Sequence, residues 1–253
     1  MSNIADIIIV VATHKKYWMP LDPTYLPLHV GKEGKADLGY AGDNTGENIS
    51  KKNKNYCELT GLYWAWKNLD NRYIGLVHYR RYFSNGNPFA NKQFQIISGK
   101  KLDTKLQQAD LLLPKPRHYW IETNYSQYAH AHHSVDLDLT REIIAEKYPA
   151  YILSFDKIMK RTWGHRFNML IMKRELLNDY CTWLFDILFE LEKRLDLSTY
   201  SENDARVFGF VAERLLDVWI EKNRQKYLDL PYVYIEKQNW FIKIWNFLKR
   251  KYK

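Results

Sequence analysis

Two clusters of basic and hydrogen-bonding side chains follow apolar segments of this sequence. The run of residues 4–13 ends in the polar turn Thr13-His14-Lys15, and the run of residues 73–77 is followed by His78-Tyr79-Arg80-Arg81. Fixed cations stabilise the negative charge that develops on a departing phosphate. The forked guanidinium of Arg also binds two phosphate oxygens at once. We therefore predict that both clusters bind the diphosphate of a nucleotide ligand.

The alternative for Arg80 and Arg81 is a solvated basic turn, which is the usual setting of two adjacent arginines. Here Leu76-Val77 stand shortly before the pair, and Tyr82-Phe83 directly follow it. A turn between two apolar segments is less exposed than an ordinary surface turn. We therefore favour the binding site over the solvated turn.

The elements that would position these clusters alternate between strand and helix patterns. Continuous apolar runs predict buried parallel strands over residues 4–13, 73–77 and 109–113. Helices are predicted over 55–68 and 100–108, and a loop over 20–53. Ligands of such sheets bind at the carboxyl ends of the strands, where both clusters fall. The second half has helical patterns over 140–147, 173–195 and 201–220, with short strands at 167–172 and 232–235.

The composition is that of a folded α/β domain. A chain of 253 residues with 46 % hydrophobic residues can bury a core of its own. The two cysteines, Cys57 and Cys181, lie in apolar helical stretches and predict reduced, buried thiols. The first residues lack the basic region of a signal peptide, and no stretch approaches the ~20 apolar residues that span a bilayer. We expect a cytoplasmic protein.

The net charge of +9 is concentrated at the C-terminus, where residues 236–253 contain six Lys or Arg against one Glu. Trp240, Phe241, Ile244, Trp245 and Leu248 recur there at helical spacing. A basic amphipathic helix of this kind is typical of segments that lie on an anionic membrane. The alternative is a helix docked on the protein itself or on a second subunit. Because the rest of the chain is only mildly basic, nucleic acid is not an expected partner.

Several longer motifs resemble a family of bacterial capsule and exopolysaccharide glycosyltransferases, long catalogued as a domain of unknown function, that includes galactofuranosyltransferases. The resemblance runs over residues 5–223. It is carried by Asp43-Asn-Thr-Gly-Glu-Asn-Ile-Ser50, Tyr56-Cys-Glu-Leu-Thr60, Tyr63-Trp-Ala-Trp-Lys67, Tyr73-Ile-Gly-Leu-Val-His-Tyr-Arg-Arg-Tyr-Phe83, Phe167-Asn-Met-Leu-Ile-Met172 and Gly209-Phe-Val-Ala-Glu-Arg-Leu215.

This resemblance implies a GT-A-like α/β domain that transfers a hexose from a UDP-sugar with inversion. The leading expectation is β-linked galactofuranose from UDP-galactofuranose, added to a polyprenyl-linked oligosaccharide of a capsule, exopolysaccharide or O-antigen. We expect a glycosyltransferase domain over 1–235, with a donor half at 1–115 and an acceptor half at 116–235. The tail at 236–253 would keep the protein on the inner face of the cell membrane.

Many GT-A enzymes bind Mn²⁺ or Mg²⁺ through an Asp-x-Asp motif at the end of a central strand. The corresponding place here is His78-Tyr79-Arg80, which offers no carboxylate oxygen for a hard cation. Asp136-Leu-Asp138 has the right spacing but is predicted to begin a helix. A divalent cation is therefore not a firm expectation.

An inverting transfer requires a general base beside the acceptor hydroxyl. GT-A enzymes often place this carboxylate just before a helix, and Ser201-Glu202-Asn203-Asp204 precedes one here. We predict Asp204 as the base, with Glu202 as the second choice. The same residues form a capping box, in which Ser201 and Asp204 would only begin the helix, and both interpretations stay open.

Other residues are predicted to surround the substrates. A surface turn explains Asp43 and Asn44 by themselves, and the family resemblance favours a role in closing over the donor. For Glu213 and Arg214 a surface pair is the alternative, and the resemblance favours a buried pair that orders the site. The acceptor side is predicted from Glu58, which lies off an apolar helical stripe, and from the aromatic and histidine-rich segment 125–133 with Tyr128, His132 and His133. A polar loop is the alternative for that segment, whose histidines lack the spacing of a zinc site.

A competing function is a non-catalytic glycan-binding or assembly protein that keeps the fold without the chemistry. The missing Asp-x-Asp motif is the feature that supports this alternative.

Overall fold

The computed structural model describes residues 6–236. The predicted basic tail at 236–253 therefore lies outside the described residues, except for Glu236. Within the described range, none of the helices is both long and apolar enough to cross a bilayer.

A twisted sheet forms the centre of the molecule. Its strands are β1 (Ile7–Thr13), β2 (Tyr25–His29), β3 (Ala41–Gly42), β4 (Tyr73–His78), β5 (Arg81–Phe83), β6 (Leu111–Pro114), β9 (Leu170–Lys173), β10 (Leu228–Leu230) and β11 (Tyr232–Tyr234). The order is β10-β6-β9-β4-β1-β2-β3, with β5 paired to β4 and β11 paired to β5. The pairs around β1 are parallel, whereas β9 runs antiparallel between β4 and β6. A separate two-stranded ribbon consists of β7 (Arg117–His118) and β8 (Trp163–Gly164).

Helices cover the two faces of this sheet unequally. They are α1 (Asn53–Tyr56), α2 (Leu59–Asn68), α3 (Gly99–Leu106), α4 (Asn124–Ala131), α5 (Ser134–Lys147), α6 (Ile152–Lys160), α7 (Arg174–Arg194) and α8 (Val207–Asn223). Val10 and Ala12 of β1 face the larger core, which contains residues of α2 and α5 to α8. Ile7, Ile9 and Val11 face the smaller core, which contains residues of α3, β5 and β11. Because β1 is buried on both faces, its sequence is a continuous apolar run.

The predicted α/β fold with a parallel sheet and a helical second half is confirmed. The predicted loop over 20–53 is wrong in part, because it contains β2 and β3. Pro27 argued against a strand here, because proline has no backbone N–H to donate to a neighbouring strand. The structure tolerates it because β2 pairs with β1 along its whole length but with β3 only at its last two residues. The predicted helix over 55–68 is interrupted at Cys57, whose φ of 52° and ψ of −131° separate α1 from α2. The prediction also missed the helices α4 and α6 and the short strands β5, β7, β8 and β10.

Because Gly75 has no side chain, residues of β1 and β9, the two strands that flank β4, approach it closely. A Cβ at this position would lie 2.8 Å from Ile171 Cγ1, 3.0 Å from the Leu170 carbonyl oxygen and 3.2 Å from Ile9 Cγ1. We expect Gly75→Ala to lower the free energy of unfolding by about 1–3 kcal/mol, because an added methyl overpacks a rigid core.

Urea unfolding followed by circular dichroism measures this effect. Gly209→Ala is the matched control, because its Cβ would meet Cys57 Cβ at an ordinary 3.5 Å and Ala is the better helix former. Equal stability of the Gly75→Ala protein and the wild type would show that the sheet relaxes around the added methyl.

Candidate functional site

The carboxyl ends of β1 and β4 bring the two predicted basic clusters together. Ala12 is the partner of His78 in the parallel register, and the Tyr79 N–H donates to the Ala12 carbonyl oxygen at 3.1 Å. The His14 ring packs edge-on against the Tyr79 ring at 5.4 Å, and Lys15 Nζ lies 5.3 Å from the centre of the same ring. The ring of the buried Tyr79 therefore packs beneath the basic groups.

The individual groups of this cluster have different surroundings. Thr13 is buried, and its hydroxyl donates to the Lys15 carbonyl oxygen at 2.6 Å, so it shapes the turn. The Arg81 guanidinium lies 3.6 Å from the centre of the Phe167 ring and 4.8 Å from that of Tyr234. The side chains of His14, Lys15 and Arg80 are the more exposed members.

The two histidines of the cluster are neutral near pH 7. Burial and then the charge of Arg80 lower the pKa of His78 to about 3. Burial, Arg80 and Lys15 lower the pKa of His14 below its usual value. One carboxylate lies among the cations: Glu236 is 3.7 Å from Lys15 Nζ and 3.6 Å from an Arg80 terminal nitrogen. The cations of the cluster thus already form ion pairs with a carboxylate.

Beside this cluster lies a cavity of about 140 Å³. Its lining includes the neutral His78 and three arginines, Arg80, Arg81 and Arg206. The remaining lining residues are Cys57, Glu58, Phe167, Gly209, Phe210 and Glu213. Both predicted halves of the chain contribute, so a ligand in this cavity would contact residues that are far apart in sequence.

Strained backbone surrounds the cavity. Cys57, Phe167 and Asn168 have φ values of 52°, 79° and 52°, in the left-handed region that residues other than Gly seldom adopt. The Asn168 side chain donates to Glu58 Oε1 at 2.8 Å and to the Gly209 carbonyl oxygen at 3.0 Å. Conformations of this kind persist only where the surroundings fix them, and they concentrate at functional sites.

The two carboxylates of the cavity differ in their partners. Glu213 Oε1 accepts the Phe167 N–H at 2.8 Å, and its Oε2 lies 3.2 Å from the buried Arg214 guanidinium. Arg214 also donates to Gln127 Oε1 at 2.7 Å, so the pair joins α8 to α4. For Glu58, burial is the main influence and raises the pKa, while the hydrogen bond from Asn168 opposes the shift.

Asp204 and Glu202 are not among the residues that line this cavity. Asp204 Oδ2 accepts a hydrogen bond from the Ser201 hydroxyl at 2.6 Å, and Oδ1 lies 3.1 Å from His132 Nδ1. The Asp204 N–H donates back to Ser201 Oγ at 3.1 Å, as in a capping interaction. The Ser201 hydroxyl is the main reason that the pKa of Asp204 is lowered. Asp204 is connected to the cavity through the His132 ring, which stacks on Phe210 at 4.2 Å.

The other predicted acceptor residues surround a buried carboxylate. The Tyr128 and Tyr200 hydroxyls each donate to Asp136 at 2.6 Å, and the His133 ring lies 4.3 Å from the Tyr200 ring. Tyr128 is fully buried, so it belongs to the core and not to an open surface. Asp136 lies in the first turn of α5, as predicted for an acidic helix start, but it is buried and its pKa is raised by that burial.

The predicted loop at Asp43 and Asn44 follows β3 directly. The buried Asp43 carboxylate accepts the Gly31 N–H at 2.8 Å, the Lys32 N–H at 3.1 Å and the Ser50 hydroxyl at 2.5 Å. Asp43 therefore organises the backbone at the carboxyl end of β2. Asn44 is half-buried beside it.

Between residues 6 and 236, no three His, Cys, Asp or Glu side chains are arranged to hold a metal ion. The end of β4 presents His78, whose nitrogen is not the oxygen ligand that Mg²⁺ prefers. The described residues thus do not fit a resident divalent cation.

Sequence reasoning missed the cavity residues Cys57, Phe167, Arg206, Gly209 and Phe210. It also missed Asn168, which donates a hydrogen bond to the cavity residue Glu58. Phe167, Asn168 and Phe210 lie inside quoted motifs but were assigned no role. No sequence pattern indicates Arg206, because its position in the cavity depends on where α8 begins.

Comparisons with known proteins agree with the fold. A family model described as a domain of unknown function, DUF4422, matches residues 8–224. No curated protein matches the sequence. The chain is similar to the apo structure of WbbM, a bifunctional glycosyltransferase, with a TM-score of 0.85 and 30 % identity over 91 % of the chain. It spans 45 % of that protein.

The neutral state of His78 is a testable property of the site. We expect its ring resonances to stay constant from pH 8 to about pH 4.5, because its pKa is lowered to about 3. Two-dimensional NMR of the histidine rings, assigned with a His78→Gln variant, measures this. Since the unfolded chain binds a proton here near pH 6.5 and the folded chain does not, this residue's contribution to stability declines as the pH falls below 6.5. A midpoint near 6.5 would contradict the buried setting.

Proposed function

The chain belongs to the DUF4422 family, and from this premise we propose that it is a glycosyltransferase that uses a UDP-sugar as its donor. The observation that carries the proposal is the group of basic side chains at the carboxyl ends of β1 and β4, directly beside a cavity that contains carboxylates. Cations suit the diphosphate of a donor, and carboxylates suit the hydroxyl of an acceptor. The similarity to WbbM, a bifunctional glycosyltransferase, supports the same chemistry.

In this proposal the diphosphate contacts Lys15 and Arg80, with His14 and His78 as neutral hydrogen-bonding groups. Glu236 supports the assignment, because its carboxylate forms ion pairs with both Lys15 and Arg80. A donor that binds there replaces this carboxylate with phosphate oxygens. The loop organised by Asp43, with Asn44, follows neighbouring strands at the same edge of the sheet and would cover the nucleotide.

The finer parts of the proposal rest on the sequence motifs. They favour galactofuranose as the transferred hexose and an inverting reaction that forms a β-linkage. The acceptor would be a polyprenyl-linked oligosaccharide of a surface glycan, and the protein would work at the cytoplasmic face of the membrane. Of the predicted acceptor residues, Glu58 lines the cavity, and the His132 ring stacks on the cavity residue Phe210.

UDP release tests the activity itself. The full chain is incubated with UDP-galactofuranose or UDP-galactose, with and without alkyl galactosides as acceptors. Release that depends on the acceptor supports a transferase. A protein that binds the alkyl galactosides but releases no UDP with either donor would instead be the non-catalytic glycan-binding protein.

Arg80→Gln tests the donor site. We expect the variant to bind UDP about tenfold to a hundredfold more weakly, because it loses a charge-assisted contact to phosphate. Isothermal titration calorimetry measures the affinity. Arg224→Gln is the control, since Arg224 is exposed at the far end of α8, roughly 20 Å along the helix from Phe210. Unchanged UDP affinity in Arg80→Gln would remove Arg80 from the donor site.

The C-terminal tail is proposed to bind anionic membrane. We expect the full chain to sediment with phosphatidylserine vesicles at low salt. Replacing Lys249, Arg250 and Lys251 by Glu should abolish this, because each basic residue near such a surface contributes about 1 kcal/mol. High salt should also weaken binding by screening. The matched control replaces the exposed Lys54, Lys100 and Lys101 by Glu. Equal sedimentation of the two triple variants would contradict a membrane role of the tail.

A further inference from the structure

The cavity contains two carboxylates, and only one of them is free of ion pairs in the described structure. Glu213 accepts a backbone N–H and forms an ion pair with Arg214. The Glu58 carboxylate accepts a hydrogen bond from the uncharged Asn168 amide. Across residues 6–236, no Lys, Arg or His forms an ion pair with Glu58. The two carboxylates therefore differ in their partners, because Glu213 is bound by a cation and Glu58 by an uncharged amide.

We propose that Glu58 is the general base of the transfer, an inference that rests on the glycosyltransferase function proposed above. The acceptor hydroxyl gives its proton to the Glu58 carboxylate while its oxygen forms a bond to the anomeric carbon of the donor sugar. The bond from that carbon to the diphosphate breaks, and its electron pair leaves on the β-phosphate of UDP. The basic residues of the same cavity stabilise that charge.

The surroundings of Glu58 suit a general base better than those of Asp204. A general base is most effective when its pKa is close to the working pH, and burial moves the pKa of Glu58 upward in that direction. The Ser201 hydroxyl instead lowers the pKa of Asp204, and the Asp204 carboxylate is also engaged by His132. Asp204 is therefore a positioning residue in this account, acting through the His132 ring that packs on Phe210.

The backbone around Glu58 provides an independent indication. Glu58 directly follows Cys57, and its partner Asn168 follows Phe167, so left-handed residues stand at both ends of the hydrogen bond between them. The Asn168 amide is fixed in turn by the Gly209 carbonyl oxygen. Such conformations persist only where the surrounding contacts fix them. Their common effect is to direct one carboxylate toward the cavity in a defined orientation.

Glu58→Gln in the full chain is the primary test, because Gln keeps the carbonyl acceptor for Asn168 and removes the base. With UDP-galactofuranose or UDP-galactose and an alkyl galactoside, we expect kcat to fall by about 10²–10⁴-fold. UDP affinity by calorimetry and the thermal unfolding midpoint should change little. Glu58→Asp should retain part of the activity. Glu142→Gln, an exposed residue of α5, is the matched control.

The pH profile distinguishes a base from a merely structural residue. In the wild type, kcat/KM should decline on the acid side as Glu58 becomes protonated, with an apparent pKa above the ordinary Glu value of 4.5. Burial and the neighbouring Glu213 raise the pKa of Glu58, whereas the Asn168 amide and Arg206 oppose the shift. Glu58→Gln should lose this acid limb, and Asp204→Asn should keep it.

The outcomes separate this inference from the proposed function. Transfer by Glu58→Gln within tenfold of the wild type, or loss of the acid limb in Asp204→Asn alone, would overturn the role of Glu58 while leaving the transferase standing. Loss of UDP binding in Glu58→Gln would likewise overturn it, because a base at the acceptor does not bind the nucleotide. A wild-type chain that releases no UDP overturns the proposed function and the inference together.

Discussion

Electrostatic repulsion among basic side chains is the main constraint on the structure at this edge of the sheet. The parallel register that pairs Ala12 with His78 forces the two turns that follow β1 and β4 to lie side by side. Lys15, Arg80 and Arg81 are thereby gathered in a small volume, where like charges destabilise one another. The structure limits the cost in three ways: both histidines stay neutral, aromatic rings underlie the cations, and Glu236 supplies one negative charge. The cluster keeps a net positive charge, so a bound anion would reduce the repulsion further.

A second constraint is a set of hydrogen bonds behind that edge, which join distant parts of the chain. The break between α1 and α2 places Glu58 against Asn168, a residue 110 positions away in sequence, and Asn168 is anchored in turn to the first turns of α8. Arg166 extends the connection by donating to the Tyr119 hydroxyl at 2.8 Å and to the carbonyl oxygen of Glu213 at 3.3 Å. The shape of the cavity thus depends on contacts among three segments that no single motif contains. Such a network explains why strained residues are retained there, since several neighbours fix each one.

The sequence predicted the parts of the molecule that are governed by local pattern. Strands β1 and β4 were evident because burial on both faces leaves a continuous apolar run, and the long helix α7 was evident from its apolar stripe. The basic strand ends could be predicted because they follow directly from those strands. The break at Cys57 could not, since Tyr56, Leu59 and Tyr63 continue a helical period across it. The meeting of Glu58 with Asn168 and of Arg206 with Cys57 is set by tertiary packing, which residue spacing does not encode.

We propose that the basic edge formed by β1 and β4 binds the diphosphate of a sugar nucleotide. A crystal structure of the full chain with UDP at neutral pH is the sharpest test. We expect phosphate oxygens within hydrogen-bonding distance of Lys15 and Arg80, with the Glu236 carboxylate displaced from both. UDP bound at another surface, with the ion pairs of Glu236 intact, would contradict it.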